Sequence, residues 1–87
     1  HPANTLSLHD ALPIFIADKS GFIVVAGGSA GFNPRLADII AKDISEKEAY
    51  ELVERILNFY NETATFGEKL GDFIDRIGLE EFKRSVL

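Results

Sequence analysis

The chain has 87 residues, of which 46% are hydrophobic and 26% charged, so it is one small domain and too apolar for intrinsic disorder. Nine Lys and Arg against fourteen Asp and Glu give a net charge of -5, which argues against a nucleic-acid partner, because polyanion binders work by neutralising phosphate. There is no cysteine, so the chain has neither a disulfide nor a thiolate metal ligand, and its longest strongly apolar run, Phe22 to Ala26, is far short of the ~20 residues that cross a bilayer.

The first fourteen residues stand apart. His1 to Asp10 has no sustained period, and Thr5 to Ile14, T-L-S-L-H-D-A-L-P-I, reads as the in-frame translation of a common sequencing-library adapter. Residues 1–14 are therefore expected to be a non-native, adapter-derived or disordered tail, and such segments are set aside before fold reasoning. His9 and Asp10, which could pass for an acid/base pair, are assigned no role. The informative chain is expected to be 15–87.

Phe15-Ile16-Ala17 and Phe22-Ile23-Val24-Val25-Ala26 are β-branched and aromatic runs separated by Asp18-Lys19-Ser20-Gly21, the pattern of a β-hairpin. The second run is apolar on both faces, which predicts cover on both sides, or a cover supplied by chain beyond this sequence. A glycine-rich loop follows, Gly27-Gly28-Ser29-Ala30-Gly31. Asn33 and Pro34 then read as an N-cap and a first-turn proline, predicting a helix with Leu36, Ala37, Ile39 and Ile40 on its apolar face and its end near Lys42.

Ser45-Glu46-Lys47-Glu48 is a capping box, and behind it Ala49, Leu52, Val53, Ile56, Leu57 and Tyr60 recur at helical spacing. Glu51 and Arg55 on the opposite face are expected to form a solvated pair. Thr65-Phe66-Gly67-Glu68 is a second box, opening a helix with Phe66, Leu70, Phe73, Ile74 and Ile77 inward and Gly78 at its C′ position. Leu79 to Val86 is a short last helix with Leu79, Phe82 and Val86 inward. The expected class is α+β: an N-terminal β-hairpin, a glycine-rich loop and about four helices. A core of this length supplies about 3–5 kcal/mol at most and a lone hairpin is marginal, so the strands are expected to complete a sheet of something larger.

Three readings compete for Val25 to Gly31. One is a tight connection in which glycine supplies backbone angles only. The second is a dinucleotide loop, since Ala26, Gly28 and Gly31 fall at the spacing of G-x-G-x-x-G, although no helix runs directly out of the loop toward a parallel strand. A P-loop lacks its Gly-Lys-Ser/Thr. The third is a loop that brings backbone close to a bulky anionic cofactor, with Arg35 as a charge partner.

The segment from Gly21 to Leu87 resembles the C-terminal end of the nitrite and sulfite reductases that hold a siroheme coupled to a 4Fe-4S cluster. The residues that carry the resemblance are Phe22-Ile23-Val24-Val25-Ala26-Gly27-Gly28-Ser29-Ala30-Gly31 with Pro34-Arg35-Leu36-Ala37, then the acidic helix Ser45 to Tyr60, then Gly67-Glu68-Lys69-Leu70-Gly71-Asp72-Phe73-Ile74 and Arg76-Ile77-Gly78-Leu79-Glu80. The resemblance implies a fragment of a reductase that takes nitrite to ammonia or sulfite to sulfide in six electrons. In that family four upstream cysteines ligate the cluster and one bridges to the siroheme iron. None is present here, so the fragment is expected to be inactive alone.

By the same resemblance Gly27, Gly28 and Gly31 would form the turn beside the cofactors, and Arg35 would meet a propionate or another carboxylate. Lys69 stands where relatives often carry arginine, Glu68 is read as a capping residue and Asp72 as a surface carboxylate; none is a catalytic group. The implied partners are the missing N-terminal part of the domain, an electron-donor protein or domain and a small oxyanion, with a cytoplasmic location. The alternative from the residues alone is a small acidic interaction module that presents its helices at Ser45–Asn61 and Thr65–Gly78 to a partner, without catalysis.

Overall fold

The computed structural model describes residues 13–29 and 34–87. Three strands precede three helices: β1 (Ile14–Asp18), β2 (Gly21–Ala26), β3 (Asp38–Ile44), α1 (Glu46–Thr63), α2 (Leu70–Ile77) and α3 (Leu79–Val86). The class is α+β, as the sequence predicts. Residues 1–12, which hold most of the expected tail, lie outside the described residues; Pro13 is buried, and Ile14 already pairs with Val25.

β1 and β2 form the expected hairpin around Lys19 and Ser20, with Phe15 opposite Val24 and Ala17 opposite Phe22. Its sheet gains a third strand from a place the sequence assigned to a helix. Residues 38–44 run antiparallel to β2, with Asp38 opposite Ala26, Ile39 opposite Val25 and Ile44 opposite Phe22. The helix expected from Pro34 to Lys42 is therefore corrected to a loop and a strand; Asn33, its expected cap, lies outside the described residues. Leu36, expected to face inward, is 90% exposed. The apolar spacing there fits a helix, but Ile39 and Ile40 are β-branched and favour a pleated surface. The open edge of β2 also offers a row of hydrogen-bonding groups that a local helix would leave unpaired.

The β2–β3 register slips between Phe22 and Val24 and again between Val24 and Val25. Near the far end Asp43 takes a φ of 61° and accepts a hydrogen bond from the Ser20 hydroxyl, tying the hairpin turn to this bulged strand.

α1 begins at the predicted box. Glu48 N–H donates to Ser45 Oγ at 3.1 Å, and Ser45 N–H donates back to Glu48 Oε1 at 2.9 Å. The Ser45 backbone bond, then its hydroxyl, holds the Glu48 carboxyl below its usual range. Ala49, Leu52, Ile56 and Tyr60 form the buried face. Arg55 does not serve the expected pair with Glu51: its Nε donates to the Val86 carbonyl at 2.6 Å, joining α1 to the end of α3. The second box forms only in part. Thr65 N–H donates to Glu68 Oε1 at 2.9 Å, yet α2 starts at Leu70 and Phe66 is fully exposed. Gly67, at φ 79°, turns the chain ahead of the helix and leaves Phe66 outside. Gly78, at φ 94°, separates α2 from α3 as the sequence predicts.

All three helices contribute to one core against the Val24 face of the sheet. Phe73 and Phe82 are its largest fully buried side chains, with Leu52, Ile56, Ile74, Val24 and Val86 around them. The Phe73 ring stands edge-on to Phe82 at 6.1 Å and tilted to Phe59 at 5.4 Å and Tyr60 at 5.9 Å, arrangements that favour aromatic pairs beyond simple burial. Phe73→Ala is expected to cost about 3–5 kcal/mol, comparable to all that a core of this size supplies. Urea unfolding followed by circular dichroism should then lose its cooperative transition, and a transition kept near its original midpoint would refute this role.

Candidate functional site

β2 ends in Ala26, and the chain leaves the sheet through Gly27 and Gly28. Gly27 is buried with φ 89°, a conformation that L side chains rarely adopt. A Cβ there would also collide with Arg35 Nη1. Just beyond, Ser29 and Arg35 exchange both backbone hydrogen bonds, Ser29 N–H to Arg35 O at 2.8 Å and Arg35 N–H to Ser29 O at 3.0 Å. This pair of bonds pinches the exit of β2 against the approach to β3.

This pinch aims the Arg35 side chain back across the glycines. Its Nη1 donates to the Gly27 carbonyl at 2.9 Å and to the Leu36 carbonyl at 3.3 Å. Its Nη2 donates to Asp38 Oδ2 at 2.7 Å and to Asp75 Oδ1 at 2.8 Å, while Nε donates to Asp75 Oδ2 at 3.1 Å. A guanidinium has five N–H donors, and all five are used. The fork on Asp75 is the bidentate geometry that makes arginine irreplaceable by lysine. It joins the exit of β2, the start of β3 and helix α2 in a single contact.

Helix α2 comes this close because residue 71 is glycine. A Cβ on Gly71 would lie 2.6 Å from the Gly27 carbonyl oxygen and 2.7 Å from Arg35 Cδ. Similarly, a Cβ on Gly28 would lie 3.1 Å from that of Ala37. The electrostatics follow the geometry. The hydrogen bond from Arg35 holds the Asp75 carboxyl below its ordinary range, and the same bond, with Asp38, raises the guanidinium pKa against the opposing effect of burial.

A second ion pair lies along α2. Arg76 donates to Glu68 through Nε at 2.8 Å and Nη2 at 3.0 Å while its guanidinium rests over the Phe73 ring, 5.5 Å from the centroid. The bond from Arg76, then that from the Thr65 backbone, holds the Glu68 carboxyl low. Glu68 thus keeps its capping contact and adds a fork, and Asp72 is exposed.

Of the residues singled out in the sequence, the structure brings Gly27, Gly28 and Arg35 together; Gly31 lies outside the described residues. Arg35 is neither a solvated arginine nor one with an N–H group left over for an external carboxylate in this arrangement. Gly71, Asp38 and Asp75 were missed as members of the site. Gly71 had a visible signal, a glycine on an otherwise bulky helix face. Asp75 had none, since it is 40 residues from its partner.

The donor chemistry does not fit a resident iron–sulfur cluster. The chain contains no cysteine, and among the described residues no group of three His, Cys, Asp or Glu side chains could hold a metal ion. What the arrangement does is fix backbone: a thin glycine turn, held flat against α2 by a saturated guanidinium.

Two substitutions test this. Gly71→Ala should cost about 1–3 kcal/mol by overpacking, read from denaturant unfolding, although alanine is the better helix former; a stabilised variant would overturn the close approach. For Asp75, the depressed native pKa gives stability that is present above the unfolded carboxyl value near ~3.9 and lost as pH falls through the lower native value. Asp75→Asn should therefore flatten the loss of stability below about pH 4, and an acid profile identical to that of the parent sequence would refute the link.

The family model described as the nitrite and sulphite reductase 4Fe-4S domain matches residues 8–87. Among curated relatives, the assimilatory-type sulfite reductase of Nitratidesulfovibrio vulgaris is 28% identical over 72 residues, covering 83% of this chain and 33% of that protein. The nitrite reductase [NAD(P)H] of Emericella nidulans is 31% identical over 74 residues, covering 83% of this chain and 7% of that protein. The nitrite reductase [NAD(P)H] large subunit of Klebsiella oxytoca is 28% identical over 74 residues, 83% of this chain and 8% of its own length. The chain thus spans a third of the length of the first relative and under a tenth of the other two. No solved structure matches it. With the model matched over nearly its whole length, the chain belongs to the nitrite and sulphite reductase 4Fe-4S domain family.

Proposed function

We propose that residues 15–87 are the bracing section of a siroheme- and 4Fe-4S-dependent reductase that carries out the six-electron reduction of nitrite or sulfite, and that this section is inactive by itself. The match to the family across residues 8–87 carries this reading. The relatives named for sulfite and nitrite reduction support the two substrates equally.

The ligands of the cluster belong to the preceding part of the parent, since no thiolate exists here. Iron and its electrons are the cofactors' chemistry, while protein supplies position and field. The residues of this chain act on position. Gly27 and Gly28 keep the strand exit thin enough for Arg35 and Ala37 to pack directly against it. Arg35 locks that exit to α2 through Asp75 and to β3 through Asp38.

The partners that follow are the preceding part of the same domain, an electron-donor protein or domain and a small oxyanion, in the cytoplasm. Among the described residues no helix is long and apolar enough to cross a membrane.

The test is spectroscopic. The full-length parent should show the optical absorption of siroheme and the electron paramagnetic resonance of a 4Fe-4S cluster, with four cysteines in two close pairs upstream of Phe15. Its reduced form should turn over nitrite or sulfite. A parent devoid of both signals would refute the proposal.

A further inference from the structure

Side chains alternate across a sheet, and the register assigns each residue a face. Val24, Ala26 and Ile40 are buried under the helices. On the opposite face Ile14 stands across from Val25 and Val25 from Ile39, while Ile16 stands across from Ile23. This places five β-branched aliphatic side chains side by side over three strands. Among the described residues nothing covers them fully: Ile14, Ile16 and Ile39 are 52%, 50% and 52% exposed.

An antiparallel sheet with a solvent face normally alternates apolar inward with polar outward, whereas strands buried on both sides read as continuous apolar runs. β2 reads Gly-Phe-Ile-Val-Val-Ala, the second pattern. A contiguous exposed patch of this kind marks a surface made to be covered. Ile14, Ile16, Ile23, Val25 and Ile39 adjoin one another with no charge between them, the exposed Asp18 of the β1 row lying beyond them at the hairpin end, so an aliphatic occupant fits the patch.

We infer that the face formed by Ile14, Ile16, Ile23, Val25 and Ile39 is the seat of an apolar layer from the preceding part of the same parent polypeptide, which makes this sheet an inner layer of the intact domain. The inference rests on the reading of the chain as a section of a larger reductase. The sulfite reductase it resembles extends well beyond the third of its length that this chain matches, so chain is available to supply the layer. A segment tethered on the same polypeptide also has an effective concentration that a second copy cannot reach.

The decisive experiment uses the full-length parent with a photoactivatable benzophenone amino acid at position 16 and, separately, at position 39. Irradiation should give cross-links whose peptides map upstream of this chain, with the product migrating as a monomer. In the unsubstituted parent, carbene footprinting should label Ile14, Ile16 and Ile39 as weakly as the core residues Ile56 and Ile74. Cross-linked dimers would assign the face to a second copy and overturn the inference. So would an absence of cross-links combined with labelling several-fold above that of Ile56. Cofactor spectra from the same preparation separate the two readings: intact siroheme and cluster signals with an open, labelled face would sink this inference alone, and an upstream cross-link without those signals would sink the proposed chemistry alone.

Discussion

One guanidinium organises this molecule. Arg35 reaches Gly27, Leu36, Asp38 and Asp75 with its five donors, and these residues belong to three separate elements and their connections. Charge-assisted bonds of this kind are stronger than neutral ones and depend on direction, so they specify how the pieces meet as well as how firmly. With only 19% of its side chain exposed, Arg35 needs its carboxylates, because a desolvated charge without partners is costly. The glycines are the other half of the same constraint. Without a bare Gly27 and a bare Gly71 the guanidinium and α2 could not occupy the space they share.

That constraint accounts for how the charges of the site are used. The carboxylates of Asp38 and Asp75 are both engaged by Arg35. Under the proposed function the chemistry belongs to prosthetic groups, and a section of chain can contribute by geometry alone. The aromatic core of Phe59, Tyr60, Phe73 and Phe82 lies on the same side of the sheet and anchors α2 from behind. Hydrophobic packing thus holds α2 against the sheet, and the Arg35–Asp75 fork sets how it meets the glycine turn.

The sheet has two unlike faces of similar composition. One is sealed by the helices; the other presents aliphatic side chains with few neighbours. The doubly apolar character of β2 is visible in its sequence, and the partial exposure of Ile14, Ile16 and Ile39 is the structural form of the same fact. In a domain this small, a single covered face leaves much of the available hydrophobic stabilisation unused.

Elements with local causes can be read directly from the residues: the β1–β2 hairpin with its turn residues, the Ser45 box and amphipathic face of α1, the break at Gly78, and the closeness of a glycine-rich exit to Arg35. The sequence alone could not settle residues 34–44. There Leu36, Ala37, Ile39 and Ile40 satisfy a helical period, and only the unpaired edge of β2 made a strand the better solution. Nor could it find Asp75 or show that Phe66 would point outward past Gly67. Local propensity acts over a few residues, whereas strand pairing, close approach at Gly71 and a guanidinium fork closed over 40 residues exist only once distant parts of the chain have met. Tertiary structure decided these because the energies that favour them belong to no single segment.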